Sequence, residues 1–146
     1  MILYLDTSAL VKKYFKEAGS NEVILHWKKA AAIATSSIAY AETMASFYRK
    51  KRETNIRSDV FQTLIESFQQ DWKSLICVQV NDDLNDMIDK VLSRHPLRGF
   101  DSIHLASALI LHDAAPKELL FACFDKTLVQ AAVAEGLSPL KNTGGI

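Results

Sequence analysis

The sequence contains no long apolar run and very little cysteine. No stretch approaches the ~18 consecutive apolar residues that a membrane-spanning helix needs. The N-terminus has no basic region and reaches Asp6 at once, which argues against a secretory signal peptide. Cys77 and Cys123 each stand in a short apolar run, and we interpret them as buried free thiols. Together these features predict a cytoplasmic protein.

The chain also lacks net charge, with 17 basic and 17 acidic residues, so the whole molecule is not a generic polyanion binder. The charge is nevertheless uneven. Residues 1–57 carry ten Lys or Arg and five acids, whereas residues 58–113 carry four Lys or Arg and nine acids. A basic region beside an acidic centre suits a nuclease, and a patchwork of solvated charged faces explains the same counts equally well.

The length and the order of the segments predict one globular domain over residues 1–146, with no repeat or linker. Apolar runs at 2–5, 30–35, 75–80, 119–124 and 138–140 are typical of buried strands. Helical patterns stand between them at 8–15, 20–29, 37–52, 55–72, 82–94, 100–111 and 126–135. Strands that alternate with helices predict an α/β fold: a three-layer α/β/α arrangement with a central, mainly parallel sheet of four to five strands.

Three aspartates occupy positions where a ligand site forms in such folds. Asp6 and Asp125 each follow a predicted strand, and ligands of open α/β sheets bind at the carboxyl ends of the strands. Asp101 opens the helix that follows Gly99 and lies on its apolar face, so it points toward the interior. Each aspartate has a simpler explanation as a helix N-cap, which becomes less satisfactory for all three together.

Glu42 is the fourth acid of interest because it lies mid-helix on a small and apolar face with Ile38, Ala45 and Ser46. No Lys or Arg stands three or four residues away to pair with it. Burial of an unpaired carboxylate is costly, so a divalent cation shared with other carboxylates is an economical partner. A surface glutamate without a role is the alternative.

Four carboxylates in one crevice repel each other unless a cation intervenes. Hard oxygen ligands favour Mg²⁺ or Mn²⁺. Such an ion can orient and activate a water and stabilise the charge that develops on a phosphodiester, so that no protein nucleophile is needed. The acids therefore predict a metal-dependent hydrolase that acts on phosphodiesters.

Four segments, taken in order, resemble the PIN domain family and in particular its VapC-type toxins. They are LYLDTSAL (residues 3–10), SSIAYAE (36–42), RGFDSIHLASA (98–108) and FACFDK (121–126). The resemblance implies a PIN-like fold and an Mg²⁺- or Mn²⁺-dependent endoribonuclease that hydrolyses single-stranded RNA. It also implies a homodimer and a type II toxin–antitoxin pair, in which the C-terminal segment of a small antitoxin occupies the cleft.

By the same resemblance, the catalytic and metal-binding residues are Asp6, Glu42, Asp101 and Asp125. Thr7 and Ser8 match the hydroxyls that support the first acid. The family usually has Ser or Thr two residues before the last acid, and this chain has Cys123, a weaker hydrogen-bond partner.

Further residues could serve either the site or the fold. Basic residues that could contact RNA phosphates could equally form a solvated face or complement a helix dipole: Lys12, Lys13, Arg49, Lys50, Lys51 and Arg52. His104, three residues after Asp101, could be a metal ligand but is better explained by packing or hydrogen bonding. The phenylalanines are predicted to be core residues that form no stacking platform.

Two other functions remain as alternatives. An aspartate-based phosphatase would use Asp6 as its nucleophile, but such enzymes usually have another aspartate two residues later, where Ser8 stands. A degenerate PIN-like binding module would keep the fold without the chemistry. The presence of all four acids argues against it, and Cys123 argues weakly for it.

Overall fold

The computed structural model describes residues 1–115 and 118–140, which contain five strands and seven α-helices. The strands are β1 (Ile2–Leu5), β2 (Ala32–Ser36), β3 (Ile76–Val78), β4 (Leu119–Ala122) and β5 (Ser138–Pro139). The helices are α1 (Thr7–Lys12), α2 (Ser20–Lys29), α3 (Ala39–Glu53), α4 (Ser58–Trp72), α5 (Asn85–Arg94), α6 (Gly99–Ala114) and α7 (Lys126–Ala134). A 3₁₀ turn, Asp82–Leu84, precedes α5.

The five strands form one sheet in the order β3-β2-β1-β4-β5, and every pairing is parallel. Leu3, Tyr4 and Leu5 of the central strand are fully buried. Alternate residues of a strand point to opposite faces. Tyr4 accordingly joins the core cluster that contains residues of α6 and α7, and its two neighbours join the cluster that contains residues of α1 to α4. The predicted three-layer α/β/α architecture is confirmed, with five strands.

Two predicted elements extend too far toward the C-terminus. Helix α1 ends at Lys12 instead of residue 15, and β4 ends at Ala122 instead of residue 124. The early end of β4 leaves Cys123 and Phe124 in the connection that leads to Asp125, where they can contact the residues after β1. Cys123 is buried as predicted, whereas Cys77 is only partly buried, and both are free. No helix of the described residues is long and apolar enough to cross a membrane.

Candidate active site

All four predicted acids line one cavity of about 460 Å³. Asp6 follows β1 and Asp125 follows β4, so both lie at the same edge of the parallel sheet. Glu42 belongs to the first turn of α3, which begins at Ala39, and it is therefore not mid-helix as predicted. Asp101 belongs to the first turn of α6. The carboxyl ends of the parallel strands thus position the cavity, as the fold class leads us to expect.

Asp6 is an almost completely buried carboxylate, with 5% of its surface exposed. Its Oδ1 accepts hydrogen bonds from Ser8 Oγ at 2.7 Å and from the Ala9 amide at 3.0 Å, so Asp6 also caps α1. Burial raises the pKa of Asp6, and neighbouring His104 and these hydrogen bonds offset only part of that shift. No Lys or Arg of the described residues forms an ion pair with it.

Asp125 and Cys123 form the β4 side of the site. Asp125 Oδ1 accepts a hydrogen bond from the Leu128 amide at 2.9 Å and caps α7. Cys123 Sγ accepts a hydrogen bond from the Asp125 amide at 3.3 Å, so the thiol holds the backbone of this acid. Burial and the charges of Asp6 and Asp125 raise the pKa of the Cys123 thiol far above its ordinary value, which keeps it protonated.

Asp101 shows that the aspartates act on each other electrostatically. It is the third residue of α6, and Arg98 holds the N-cap position, so the N-cap explanation for Asp101 is wrong. Burial is the main cause that raises the pKa of Asp101, and repulsion by the Asp125 and Asp6 carboxylates raises it further. The first and last acids therefore lie close enough to Asp101 to oppose its ionisation.

Glu42 has protein partners that the sequence did not reveal. Its Oε1 accepts hydrogen bonds from Thr7 Oγ1 at 2.6 Å and from His104 Nε2 at 2.9 Å. Burial acts to raise the pKa of Glu42, but these two hydrogen bonds outweigh burial and lower it below its ordinary value. The sequence analysis had considered a divalent cation as the partner of Glu42, and the structure adds two protein partners that it did not foresee. The hydrogen bonds of the described residues engage Oε1 and leave Oε2 available.

His104 connects Glu42 to the core. The imidazole is buried, and its Nδ1 lies 2.9 Å from the Tyr4 hydroxyl. Burial raises the pKa of Tyr4 well above its ordinary value, so the phenol stays protonated and can donate a hydrogen bond to Nδ1. Because a carboxylate oxygen can only accept, Nε2 is the donor in the hydrogen bond to Glu42. The structure thus explains His104 by hydrogen bonding and packing, which sequence reasoning had favoured.

The hydroxyl groups of Thr7 and Ser8 each donate a hydrogen bond to a different acid. Thr7 donates to Glu42, and Ser8 donates to Asp6. Ser8 Oγ also accepts a hydrogen bond from the Phe124 amide at 3.1 Å, so it ties the end of β1 to the connection after β4. The two hydroxyls that directly follow Asp6 therefore fix parts of the site that come from three different segments of the chain.

The donor set fits a divalent cation by its chemistry. The four acids offer hard oxygen atoms, the buried Asp6 forms no ion pair with a Lys or Arg of the described residues, and Asp101 is repelled by Asp125 and Asp6. As the side chains stand, no three His, Cys, Asp or Glu groups of the described residues are arranged to hold one ion together. Mutual repulsion separates like charges, so the acids would have to turn toward a bound cation.

The predicted RNA-binding residues divide into two groups. Lys12, Arg49 and Lys50 line a cavity of about 440 Å³ that also contacts Glu42, Thr7 and Ser8. Two of these lysines are paired with Glu17, Lys12 at 3.1 Å and Lys50 at 3.0 Å. Lys13, Lys51 and Arg52 do not line either cavity beside the acids. Lys13 pairs with Asp71, and Lys51 lies over the ring of Phe61.

Three residues of the acid cavity, namely Arg98, Gly99 and Phe100, were not singled out by sequence reasoning. Arg98 and Phe100 both line it, and both are exposed. Phe100 had been assigned with the other phenylalanines to the core, which is wrong. The available signal was its place directly before Asp101, because a residue so close to a site acid can also contact a ligand.

Comparison with known proteins agrees with this fold. A family model described as the PIN domain matches residues 3–134. The chain is 28% identical over 135 residues to Ribonuclease VapC45 of Mycobacterium tuberculosis (strain CDC 1551 / Oshkosh), covering 92% of each protein.

Two solved structures illustrate the shared fold. FitAcB from Neisseria gonorrhoeae superposes with a TM-score of 0.67 at 15% identity, covering 99% of this chain and 100% of that one. Mycobacterium tuberculosis VapC20, described as a sarcin-ricin loop cleaving toxin, superposes with a TM-score of 0.62 at 16% identity, covering 92% of this chain and 95% of that one. Because the PIN domain model spans most of the sequence, the chain belongs to the PIN domain family.

Proposed function

We propose that this chain is a metal-dependent endoribonuclease that hydrolyses phosphodiester bonds of single-stranded RNA. The observation that carries the proposal is the convergence of Asp6, Glu42, Asp101 and Asp125 on one cavity without a paired Lys or Arg among the described residues. A relative named as a ribonuclease covers 92% of the chain and supports the same reaction class.

Asp6, Asp101 and Asp125 would hold the cation, and Mg²⁺ or Mn²⁺ suits their oxygen atoms. A bound ion of this kind would act as a Lewis acid on the phosphate and lower the pKa of a water. In the reaction, the water oxygen would lose a proton and bond to phosphorus while the bond from phosphorus to a sugar oxygen breaks. That sugar oxygen would take up a proton, so that the proton lost by the water balances the proton gained by the leaving group. Glu42 is held through Oε1 by His104 and Thr7 and can use Oε2 to orient the water.

We further propose that residues 1–146 form a single nuclease domain and that the enzyme is the toxin of a type II toxin–antitoxin pair. The resemblance to VapC-type toxins and the description of VapC20 as a toxin support this role. A small antitoxin that occupies the acid cavity and a homodimeric state follow from the same resemblance. An RNA substrate implies action in the cytoplasm.

The test is cleavage of mixed-sequence single-stranded RNA with Mg²⁺ or Mn²⁺, and with EDTA as a control. Asp6→Asn and Asp101→Asn should abolish cleavage, because each removes a charge that holds the cation. Asp89→Asn, an exposed acid on α5, is the matched control and should cleave like the wild type. Cleavage that persists in EDTA or in both site variants would contradict the proposal.

A degenerate binding module is the alternative, and metal titration separates it from the enzyme. A module without the chemistry should show no affinity for Mg²⁺ or Mn²⁺ that depends on Asp6 and Asp101. The phosphatase alternative has less support, because the position two residues after Asp6 holds Ser8, whose hydroxyl donates a hydrogen bond to Asp6.

A further inference from the structure

Phe100 is the most exposed large apolar side chain of the described residues, with 62% of its surface accessible. The middle of α6 is buried, because Ser102 and every residue from His104 to Leu109 are buried, whereas both ends of the helix are exposed. Contact of an apolar ring with water is unfavourable, and ligand sites typically combine aromatic side chains with a few placed polar groups.

The ring lies at the cavity of the four acids and directly precedes Asp101. The cavity volume of about 460 Å³ falls within the range of about 300–1,000 Å³ that is typical of sites for organic ligands. A Cβ atom added to the neighbouring Gly99 would meet nothing within 4 Å, so the approach beside Phe100 is open. A flat group can therefore reach the ring while its attached atoms reach the acids.

Arg98 contributes a positive charge to the same cavity. It is exposed, and within residues 1–115 and 118–140 it forms no ion pair. A guanidinium group binds phosphate oxygens well because its donors form a planar fork. Arg98 and Phe100 thus place an anion-binding group and an aromatic surface two residues apart, beside acids suited to phosphodiester hydrolysis.

We propose that Arg98 and Phe100 form a nucleotide subsite of the ribonuclease. Phe100 stacks on the base of a nucleotide next to the scissile bond, and Arg98 binds a flanking phosphate. The pairing of a flat base with an anionic phosphate on one chain matches the pairing of these two side chains. Stacking accepts any base, because every base has a π-face, so the subsite positions the strand more than it reads sequence. This inference rests on the proposed function.

The variants Phe100→Leu and Phe100→Tyr test the stacking. Leucine keeps the apolar character and loses the ring, whereas tyrosine keeps the ring. We expect Phe100→Leu to lower kcat/KM on single-stranded RNA by roughly 5- to 100-fold and Phe100→Tyr to retain most of it. Tyr48→Leu removes another exposed aromatic residue, which does not line the acid cavity, and serves as the control.

A substrate variant makes the test specific. RNAs with an abasic site at successive positions around the cut should include one on which the wild type and Phe100→Leu are equally active, because neither can stack there. A constant ratio between the two enzymes on every abasic RNA would overturn the proposal, since the ring would then act through the fold.

Arg98 is tested by salt dependence. Arg98→Gln should weaken binding of all RNA sequences to a similar degree and lower the slope of log affinity against log salt by roughly one. Arg98→Lys should keep most of the slope, because the charge remains. An unchanged slope for Arg98→Gln would show that Arg98 contacts no phosphate.

A binding measurement separates this inference from the ribonuclease proposal. Short single-stranded RNAs carrying 2-aminopurine are mixed with the protein in Ca²⁺, and fluorescence quenching reports stacking. Quenching that Phe100→Leu abolishes supports the subsite, even if no RNA is cut with Mg²⁺ or Mn²⁺, a result that would defeat only the ribonuclease proposal. Cleavage by the wild type that Phe100→Leu leaves unchanged defeats only the subsite.

Two remaining outcomes also overturn the subsite. If Phe100→Leu alters the oligomeric state measured by light scattering while RNA binding is unchanged, the ring belongs to a protein–protein contact. If the wild type neither binds nor cuts any of the RNAs, both proposals fail.

Discussion

His104 joins the central strand to the acid cavity, since its Nε2 lies 2.9 Å from Glu42 Oε1 while its Nδ1 lies 2.9 Å from the Tyr4 hydroxyl. Tyr4 is fully buried and stacks on Phe121 of the neighbouring strand, with ring centroids 5.6 Å apart. The buried His104 and Tyr4 therefore help to orient Glu42, together with the hydroxyl of Thr7. Substitution of the residues that hold Glu42 and His104 should therefore change the stability of the protein or its activity.

The variant Tyr4→Phe should destabilise the protein without emptying the core. It removes only the hydroxyl and leaves His104 Nδ1 buried without its partner, which costs about 1–3 kcal/mol of unfolding free energy. Urea denaturation without metal measures the change. Tyr48→Phe is the control. Because the Tyr48 ring is exposed, this substitution should change the free energy of unfolding by less than about 0.5 kcal/mol. Equal stability of both variants would contradict a hydrogen bond at His104.

Thr7→Val tests the second hydrogen bond to Glu42. Valine keeps the shape of threonine but cannot donate to Oε1, which now accepts from Thr7 at 2.6 Å. Hydrogen bonds to charged groups contribute about 1.5–3 kcal/mol, so we expect kcat/KM on RNA to fall by roughly 10- to 100-fold. Thr7→Ser keeps the hydroxyl and should retain most activity. If valine and serine variants are equally active, Thr7 does not position Glu42 for the reaction.

The positions of Asp6 and Asp125 could be predicted because each follows an apolar strand, and parallel strands end at one edge of the sheet. Those two acids needed only local patterns and a topological rule. Asp101 was placed near the start of its helix, but the helix begins at Gly99, two residues earlier, and this shift moves the acid out of the cap position.

The partners of Glu42 could not be predicted, because contacts between distant segments leave no local pattern. His104 lies 62 positions from Glu42 and 100 from Tyr4. Tyr4 stands in an apolar strand and looks like an ordinary core residue in the sequence. The exposure of Phe100 was missed for the opposite reason, since hydrophobicity predicts burial on average and says nothing about a ring beside a cavity.

Asp6→Asn should stabilise the metal-free protein at neutral pH. Burial raises the pKa of Asp6 in the folded state, so the folded protein binds this proton more tightly than the unfolded chain. Stability therefore falls as the pH rises from the ordinary value of 3.8 through the folded pKa, and it stays reduced above that pKa. Asparagine removes the charge and its oxygen can still accept from Ser8 Oγ and the Ala9 amide.

The measurement is the free energy of unfolding of wild type and Asp6→Asn in EDTA from acid to neutral pH. The advantage of the variant should grow as the pH rises and disappear below the ordinary value of 3.8. Asp89→Asn, an exposed acid, should show no such trend. A variant that is less stable than the wild type at every pH would show that the Asp6 carboxylate contributes to folding, contrary to the raised pKa.

Gly19→Ala should disturb the β4 side of the site through Phe124. Gly19 adopts a φ of 94°, a left-handed conformation that costs about 1–2 kcal/mol for an L-residue, and its added Cβ would stand 2.5 Å from the Phe124 ring. Gly136 has a φ of 93° and open space around the same position, so Gly136→Ala carries the backbone cost alone.

Thermal unfolding of the two alanine variants should therefore show a larger loss for Gly19→Ala. Because Phe124 directly precedes Asp125 and its amide donates to Ser8, a displaced ring should also lower RNA cleavage, whereas Gly136→Ala should cleave like the wild type. Equal loss of stability in the two variants would mean that the Phe124 ring moves away freely. Full activity of Gly19→Ala would mean that the ring does not transmit its displacement to Asp125.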